Sequence, residues 1–191
     1  MDREPRDTDL MLAVQRGDTQ KLGILFCRHH VRIVRFCTRM TSNPALAEDL
    51  TQEAFLRVMR YSHSYRGSAD FLPWLYRIAR NVCHDHFRSS GAARGRLEVE
   101  VPTDLEDAAP LASATVERDE EATRLRQLVD ELPIDRREAL VLARFEERDY
   151  GEVAEILGCS VGAVRVRIHR ALRQLAELYR RSDQTGQEAA S

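Results

Sequence analysis

Near the end of the chain, cationic side chains recur at helical spacing. Over residues 161–175, Val166, His169, Arg170 and Arg173 fall on one side, with Arg165 and Arg167 on its flanks. A guanidinium offers a planar fork of donors that pairs with the acceptor edge of guanine or with a phosphate. Ser160, just before this run, adds a hydroxyl. A second set lies over residues 71–88, where Arg77, Arg80, Asn81, His84 and Arg88 share one side. It follows the polar loop YSHSYRGS (61–68), in which Tyr61, His63, Tyr65 and Arg66 supply rings for stacking on unpaired bases and a cation. A third set, Asp49, Gln52, Glu53, Leu56 and Arg60, lines the outer side of a helix, and a leucine among charges there suits a protein partner. Catalytic groups are not expected. His84, Asp85 and His86 are consecutive on a helix and diverge, so they cannot converge on one substrate atom. Cys27, Cys37, Cys83 and Cys159 lack paired spacing and read as reduced structural residues, with no metal or cofactor implied.

The elements that must position these groups are helices. Asp149 reads as an N-cap whose partner Glu152 completes a capping box. Val153, Ile156 and Leu157 give the following helix an apolar face, and Gly158 fits a left-handed stop. Ser160 caps the next helix, whose Val164, Ile168, Ala171, Leu172 and Leu175 face inward. Helix, short break and basic helix is the helix-turn-helix arrangement, whose second helix enters the major groove of duplex DNA. Upstream, helices are expected over about 9–16, 19–40 (inner stripe Leu22, Phe26, Ile33, Cys37, Met40) and 44–60, the last entered through Asn43-Pro44. Asp70 opens a helix to about Arg88. Further helices end near Glu131 and restart at Pro133, and their Leu125 and Phe145 read as core.

Beta signals are nearly absent, so the fold class is all-α, with two small helical domains. Residues 1–90 form the first and 122–181 the second. Between them, residues 91–121 carry nine acidic and three basic side chains and read as a flexible acidic linker. Residues 182–191 read as a disordered tail. The 191 residues carry a net charge of −2, so nucleic-acid binding must come from the local basic faces. No apolar run reaches the length of a membrane span, and the N-terminal residues lack a signal-peptide core, so a cytoplasmic protein without membrane insertion is expected.

Three stretches together resemble the extracytoplasmic-function (ECF) sigma factors of bacterial RNA polymerase: AEDLTQEAFLRV (47–58), FLPWLYRIARNVCHDHFR (71–88) and LPIDRREALVLARFEERDYGEVAEILGCSVGAVRVRIHRAL (132–172). The resemblance implies sigma domain 2 for residues 1–90 and sigma domain 4 for 122–181. It implies that Asp49, Gln52, Glu53 and Leu56 dock on the β′ clamp helices of the core enzyme. Tyr61, His63, Tyr65, Arg66, Trp74, Arg77, Arg80, Asn81, His84 and Arg88 would open the minus-ten promoter element and hold its non-template strand. Ser160, Arg165, Val166, Arg167, His169, Arg170 and Arg173 would read the minus-thirty-five element as duplex, beside the β flap. An anti-sigma factor is implied as a further partner by family habit. The recognition helix carries Arg165-Val166-Arg167 where the family often has Lys-Ser-Arg, and an outward valine suits a thymine methyl. Two rival readings remain open at this point. One is a helix-turn-helix regulator that does not bind core polymerase; the other is a sigma-sequestering protein that does not bind DNA.

Overall fold

The computed structural model describes residues 4–94 and 113–189. Eight α-helices follow one another among them: α1 (Asp7–Gln15), α2 (Gln20–Thr41), α3 (Pro44–Arg60), α4 (Phe71–Arg94), α5 (Ser113–Asp130), α6 (Ile134–Leu140), α7 (Tyr150–Leu157) and α8 (Val161–Ala189). A 3-10 turn (Ser62–Ser64) lies between α3 and α4, and a π-helical turn (Val141–Phe145) continues α6. The described residues contain no strand, and no described helix is long and apolar enough to cross a membrane.

Helices α1 to α4 pack into the first unit. Its core is built from Leu10 and Met11 of α1, Leu25, Ile33, Phe36 and Met40 of α2, Ala47, Ala54 and Val58 of α3, and Leu75, Tyr76 and Val82 of α4. Burying each aliphatic side chain of this size contributes roughly 1.5–3 kcal/mol. The α2 stripe is rotated from the expected one: Leu25 and Phe36 are buried, whereas Phe26 is partly exposed and sits edge-on to Phe55. Asn43 caps α3 by accepting the Leu46 N–H at 3.0 Å, with Pro44 in the first turn as expected.

The second unit, α5 to α8, holds the helix-turn-helix. Asp149 accepts N–H donations from Gly151 and Glu152, while the Glu152 side chain accepts the Asp149 N–H at 3.1 Å, so the capping box is complete. Gly158 ends α7 at φ +64°, a left-handed conformation that glycine adopts at least cost. Val164, Ile168 and Ala171 pack inward, but Leu172 and Leu125 are exposed. Phe145 lies outward too, under the Arg39 guanidinium at 5.1 Å, because the π turn rotates it off the apolar stripe.

Several boundaries differ from the sequence reading. Helix α4 runs to Arg94, and α5 starts at Ser113, inside the stretch assigned to the linker. Charged residues with high helix propensity support a helix there without an apolar stripe. Residues 95–112 of that stretch lie outside the described residues. The backbone of α8 is helical to Ala189, where a disordered tail was expected, and its Gln, Glu and Ala residues favour a helix. Replacing Asp149 with alanine removes two N-terminal acceptor contacts and should lower stability by about 1 kcal/mol. Chemical denaturation of Asp149→Ala checks this, and an unchanged midpoint would contradict the capping role.

Candidate nucleic-acid interface

Helix α8 carries most of the residues expected to read duplex DNA. Ser160 is exposed and accepts the Ala163 N–H at 3.2 Å, which fixes the first turn. Arg165, Val166, His169, Arg170 and Arg173 are exposed on one side, with Val166 an apolar point among cations. Arg173 forms an exposed pair with Glu177 at 3.4 Å, which is readily exchanged for a phosphate. Around the α8 surface, Arg136, Arg170, Arg173 and Gln174 line an open groove of about 510 Å³. Arg167 departs from the set. It turns inward, with Nη1 3.5 Å from a carboxylate oxygen of Glu138, a charge contact without hydrogen-bond geometry.

The second set divides in the same way. Tyr61, His63 and Arg66 are exposed on the loop, and Arg77, Asn81 and Arg88 are exposed on α4. Tyr61, Ile78, Asn81 and His84, with Arg57, Asp85 and Arg88, line a groove of about 520 Å³. Its base is rigid: Arg57 donates to Asp85 at 2.5 Å and to Glu53 at 2.7 Å, and Arg88 also donates to Asp85. Those hydrogen bonds from Arg57 and Arg88 hold the Asp85 carboxyl below its ordinary range.

Two sequence assignments are corrected by packing. Tyr65 is 3% exposed and Trp74 is 6% exposed, with ring centroids 5.2 Å apart in an edge contact. The Tyr65 hydroxyl donates to the Ala69 carbonyl at 2.6 Å. Neither ring offers a face to a base; both brace the loop from beneath. Burial raises the Tyr65 phenol above its usual value. Gln15, which sequence reasoning missed, pins the same loop by donating to the Ser62 and Tyr65 carbonyls, each at 2.7 Å.

Arg80 and His84 are neither exposed nor loop-bound. Arg80 donates through Nε and Nη2 to the two oxygens of Glu138 at 2.7 and 3.1 Å, and His84 Nε2 lies 2.7 Å from Glu138 Oε2. Glu138 belongs to α6 of the second unit and is 1% exposed. A second acid repeats the pattern: Glu146 accepts from Tyr76 at 2.6 Å and from Arg39 at 2.7 Å, both in the first unit. Arg137 donates across the same boundary to the Met40 carbonyl at 2.7 Å. Burial and the Glu146 carboxylate push the Tyr76 phenol far above its usual value. Sequence reasoning missed both acids. The available signal was a charge on an apolar helical stripe with Ile134 and Leu142, because a carboxylate is rarely buried without cationic partners.

The residues expected to dock on polymerase lie on α3. Asp49, Gln52 and Leu56 are exposed, Leu56 to 53%, while Glu53 is half-buried in its pair with Arg57. Met59 adds apolar surface beside them. Among the described residues, no three His, Cys, Asp or Glu side chains converge as metal ligands.

Two family models match in the expected order: Sigma-70 region 2 over residues 25–93 and Sigma-70 region 4 over residues 122–175. The RNA polymerase sigma factor CarQ of Myxococcus xanthus is 40% identical over 157 residues, spanning 81% of this chain and 86% of the relative. The ECF RNA polymerase sigma-E factor of Haemophilus influenzae is 32% identical over 177 residues, spanning 86% and 90%. The chain belongs to the ECF sigma factors. Among solved structures, CnrH in complex with the cytosolic domain of CnrY is similar with a TM-score of 0.68 and 25% identity, covering 91% of this chain and 96% of CnrH. As a sigma factor, the chain is an RNA polymerase subunit for transcription initiation, and a helix-turn-helix regulator independent of polymerase is disfavoured by the region 2 match.

The Glu138 site carries a pH signature. Desolvation pushes its carboxyl up, but hydrogen bonds from His84 and Arg80 and the charges of both outweigh it, so the group ends below its ordinary value. Its contribution to the folded arrangement is therefore complete above the ordinary glutamate range and fades as pH falls through the lowered value. Carbon-13 NMR of the Glu138 carboxyl should show a midpoint below that of an exposed glutamate. A midpoint at or above it would contradict the ion-pair geometry.

Proposed function

We propose that three surfaces of this ECF sigma factor divide promoter initiation among them. The α3 face with Asp49, Gln52, Glu53 and Leu56 docks on the β′ clamp helices of core RNA polymerase. The observation that supports it is an exposed leucine ringed by acidic and amide groups on a helix whose opposite face is core. The groove between the 61–68 loop and α4 takes the separated non-template strand of the minus-ten element. Tyr61 stacks there, Asn81 reads a base edge, and Arg66, Arg77 and Arg88 neutralise backbone charge. Tyr65 and Trp74 hold the loop in place for that task. Helix α8 lies in the major groove at the minus-thirty-five element, with Arg165 and Arg170 as guanine readers and Val166 against a thymine methyl. Neither DNA face needs to bind tightly alone, because joining both to one polymerase raises their effective concentration. The second domain also meets the β flap. The reading implies action in the cytoplasm, where polymerase and chromosome lie. An anti-sigma factor that covers the two domains is the regulatory partner, by analogy with CnrH held by the cytosolic domain of CnrY. The chemistry of both faces is recognition, with no covalent step.

The observation that carries this reading is the exposed row Arg165, His169, Arg170 and Arg173 on the second helix of a fully capped helix-turn-helix. Arg165→Ala or Arg170→Ala should weaken promoter use by about 1–3 kcal/mol where a base contact is lost. Transcription with purified core polymerase from a cognate promoter measures it, and wild-type yield from either variant removes that residue from the readout. Asp49→Ala combined with Glu53→Ala should lower core-polymerase affinity with the circular dichroism spectrum unchanged. Undiminished co-purification with core enzyme would sink the docking assignment.

A further inference from the structure

Helix α1 turns one face to the 61–68 loop. Thr8, Leu12 and Gln15 recur at i, i+4 and i+7 and so align along one side of the helix. Leu10, Met11 and Val14 bury another side in the core. The start of α1 is tied to α2, because Asp7 accepts from Arg28 at 2.8 Å and lies 2.7 Å from His29 Nε2. All three residues of the face meet the loop. The Gln15 amide nitrogen carries two hydrogens, and each goes to one loop carbonyl, those of Ser62 and Tyr65, at 2.7 Å. The Ser62 carbonyl also accepts the Tyr65 N–H at 3.0 Å, so the amide braces the 3-10 turn at the bond that closes it. The Thr8 hydroxyl lies 3.2 Å from the Tyr65 hydroxyl. Leu12 packs on Gly67 so closely that a Cβ there would stand 3.2 Å from both of its methyls. On the open side of the same loop, Tyr61, His63 and Arg66 are exposed next to the pinned carbonyls.

We propose that α1 sets base preference at the minus-ten element, with Gln15 as the positioning residue that fixes how Tyr61, His63 and Arg66 meet an unpaired base. The proposal rests on the assignment of this loop to the separated strand. Telling one base from another requires contact groups held to within about 0.5 Å, and packing and hydrogen bonds behind those groups supply that precision. Here the support comes from α1, which precedes the stretch matched by the Sigma-70 region 2 model at residues 25–93. The chemistry of the position is specific. Two carbonyls accept and cannot donate, so the group between them must bring two donors; a carboxylate of the same shape would repel both. Gly67 is the matching requirement on the loop side, since a side chain there would press on Leu12 and lift the loop from the helix.

The test uses the full chain with core polymerase. Gln15→Met keeps the length of the side chain and removes both donors. Gly67→Ala lifts the loop off Leu12 from an exposed position and leaves α1 intact, so it serves even where Gln15→Met disturbs folding. Gln20→Met, the same change at an exposed position of α2, is the control. Amide hydrogen exchange over residues 61–68 reads the clamp. Selection from promoter DNA with the minus-ten strands mismatched open and their bases randomised reads base preference. Both variants should exchange faster in the loop than wild type and control. Their preference between the best and worst base should shrink about tenfold, the size of one stacking contact, with co-purification of core enzyme unchanged. A smaller active fraction scales all sequences equally, so the ratio between bases separates positioning from stability. Exchange at the wild-type rate in both variants would overturn the clamp. Faster exchange with base preference intact, where Tyr61→Ala with Arg66→Ala flattens it, would overturn the positioning role and leave the loop as a reader. Base preference untouched by all of these, the Tyr61 and Arg66 pair included, would remove the loop from the readout and the proposal with it.

Discussion

The arrangement of this molecule depends on how one buried charge is satisfied. Glu138 sits on a helix that is otherwise apolar toward the core, and almost none of it meets solvent. A carboxylate removed from water without partners would cost several kcal/mol or take up a proton. Two guanidiniums and an imidazole prevent that: Arg80 and His84 from the first unit and Arg167 from its own. The contact therefore fixes the register of α4 against α6 and, through Arg167, the rotation of α8.

Rigid local chemistry surrounds this centre. The capping box at Asp149 and the left-handed Gly158 set α7 and the entry of α8 regardless of what the domains do relative to one another. Gln15 and the buried Tyr65–Trp74 pair do the same for the 61–68 loop. Each surface proposed for recognition thus rests on fixed local geometry, which spares the entropy of arranging its groups on binding.

The helical architecture was legible because helix signals are local. Asn43-Pro44, the Asp149 box and Gly158 act within a turn of themselves and were read at their true positions. The exposed row on α8 was legible for the same reason, since a basic stripe opposite an apolar one needs no tertiary information. Tyr65 and Trp74 were misassigned because composition shows an aromatic ring without showing which side of it is covered. Their burial depends on Phe71 and α1, which are distant in kind from any loop pattern. Arg80, His84 and Arg167 share faces with exposed residues by spacing alone. Their capture by Glu138 is a contact across more than fifty residues for the first two, beyond any periodicity argument.

The most direct measurement is run-off transcription across a pool of promoter DNA with purified core polymerase. The account predicts promoter-specific transcripts that appear only when this chain is added. Core enzyme that neither binds the chain nor yields such transcripts would contradict it.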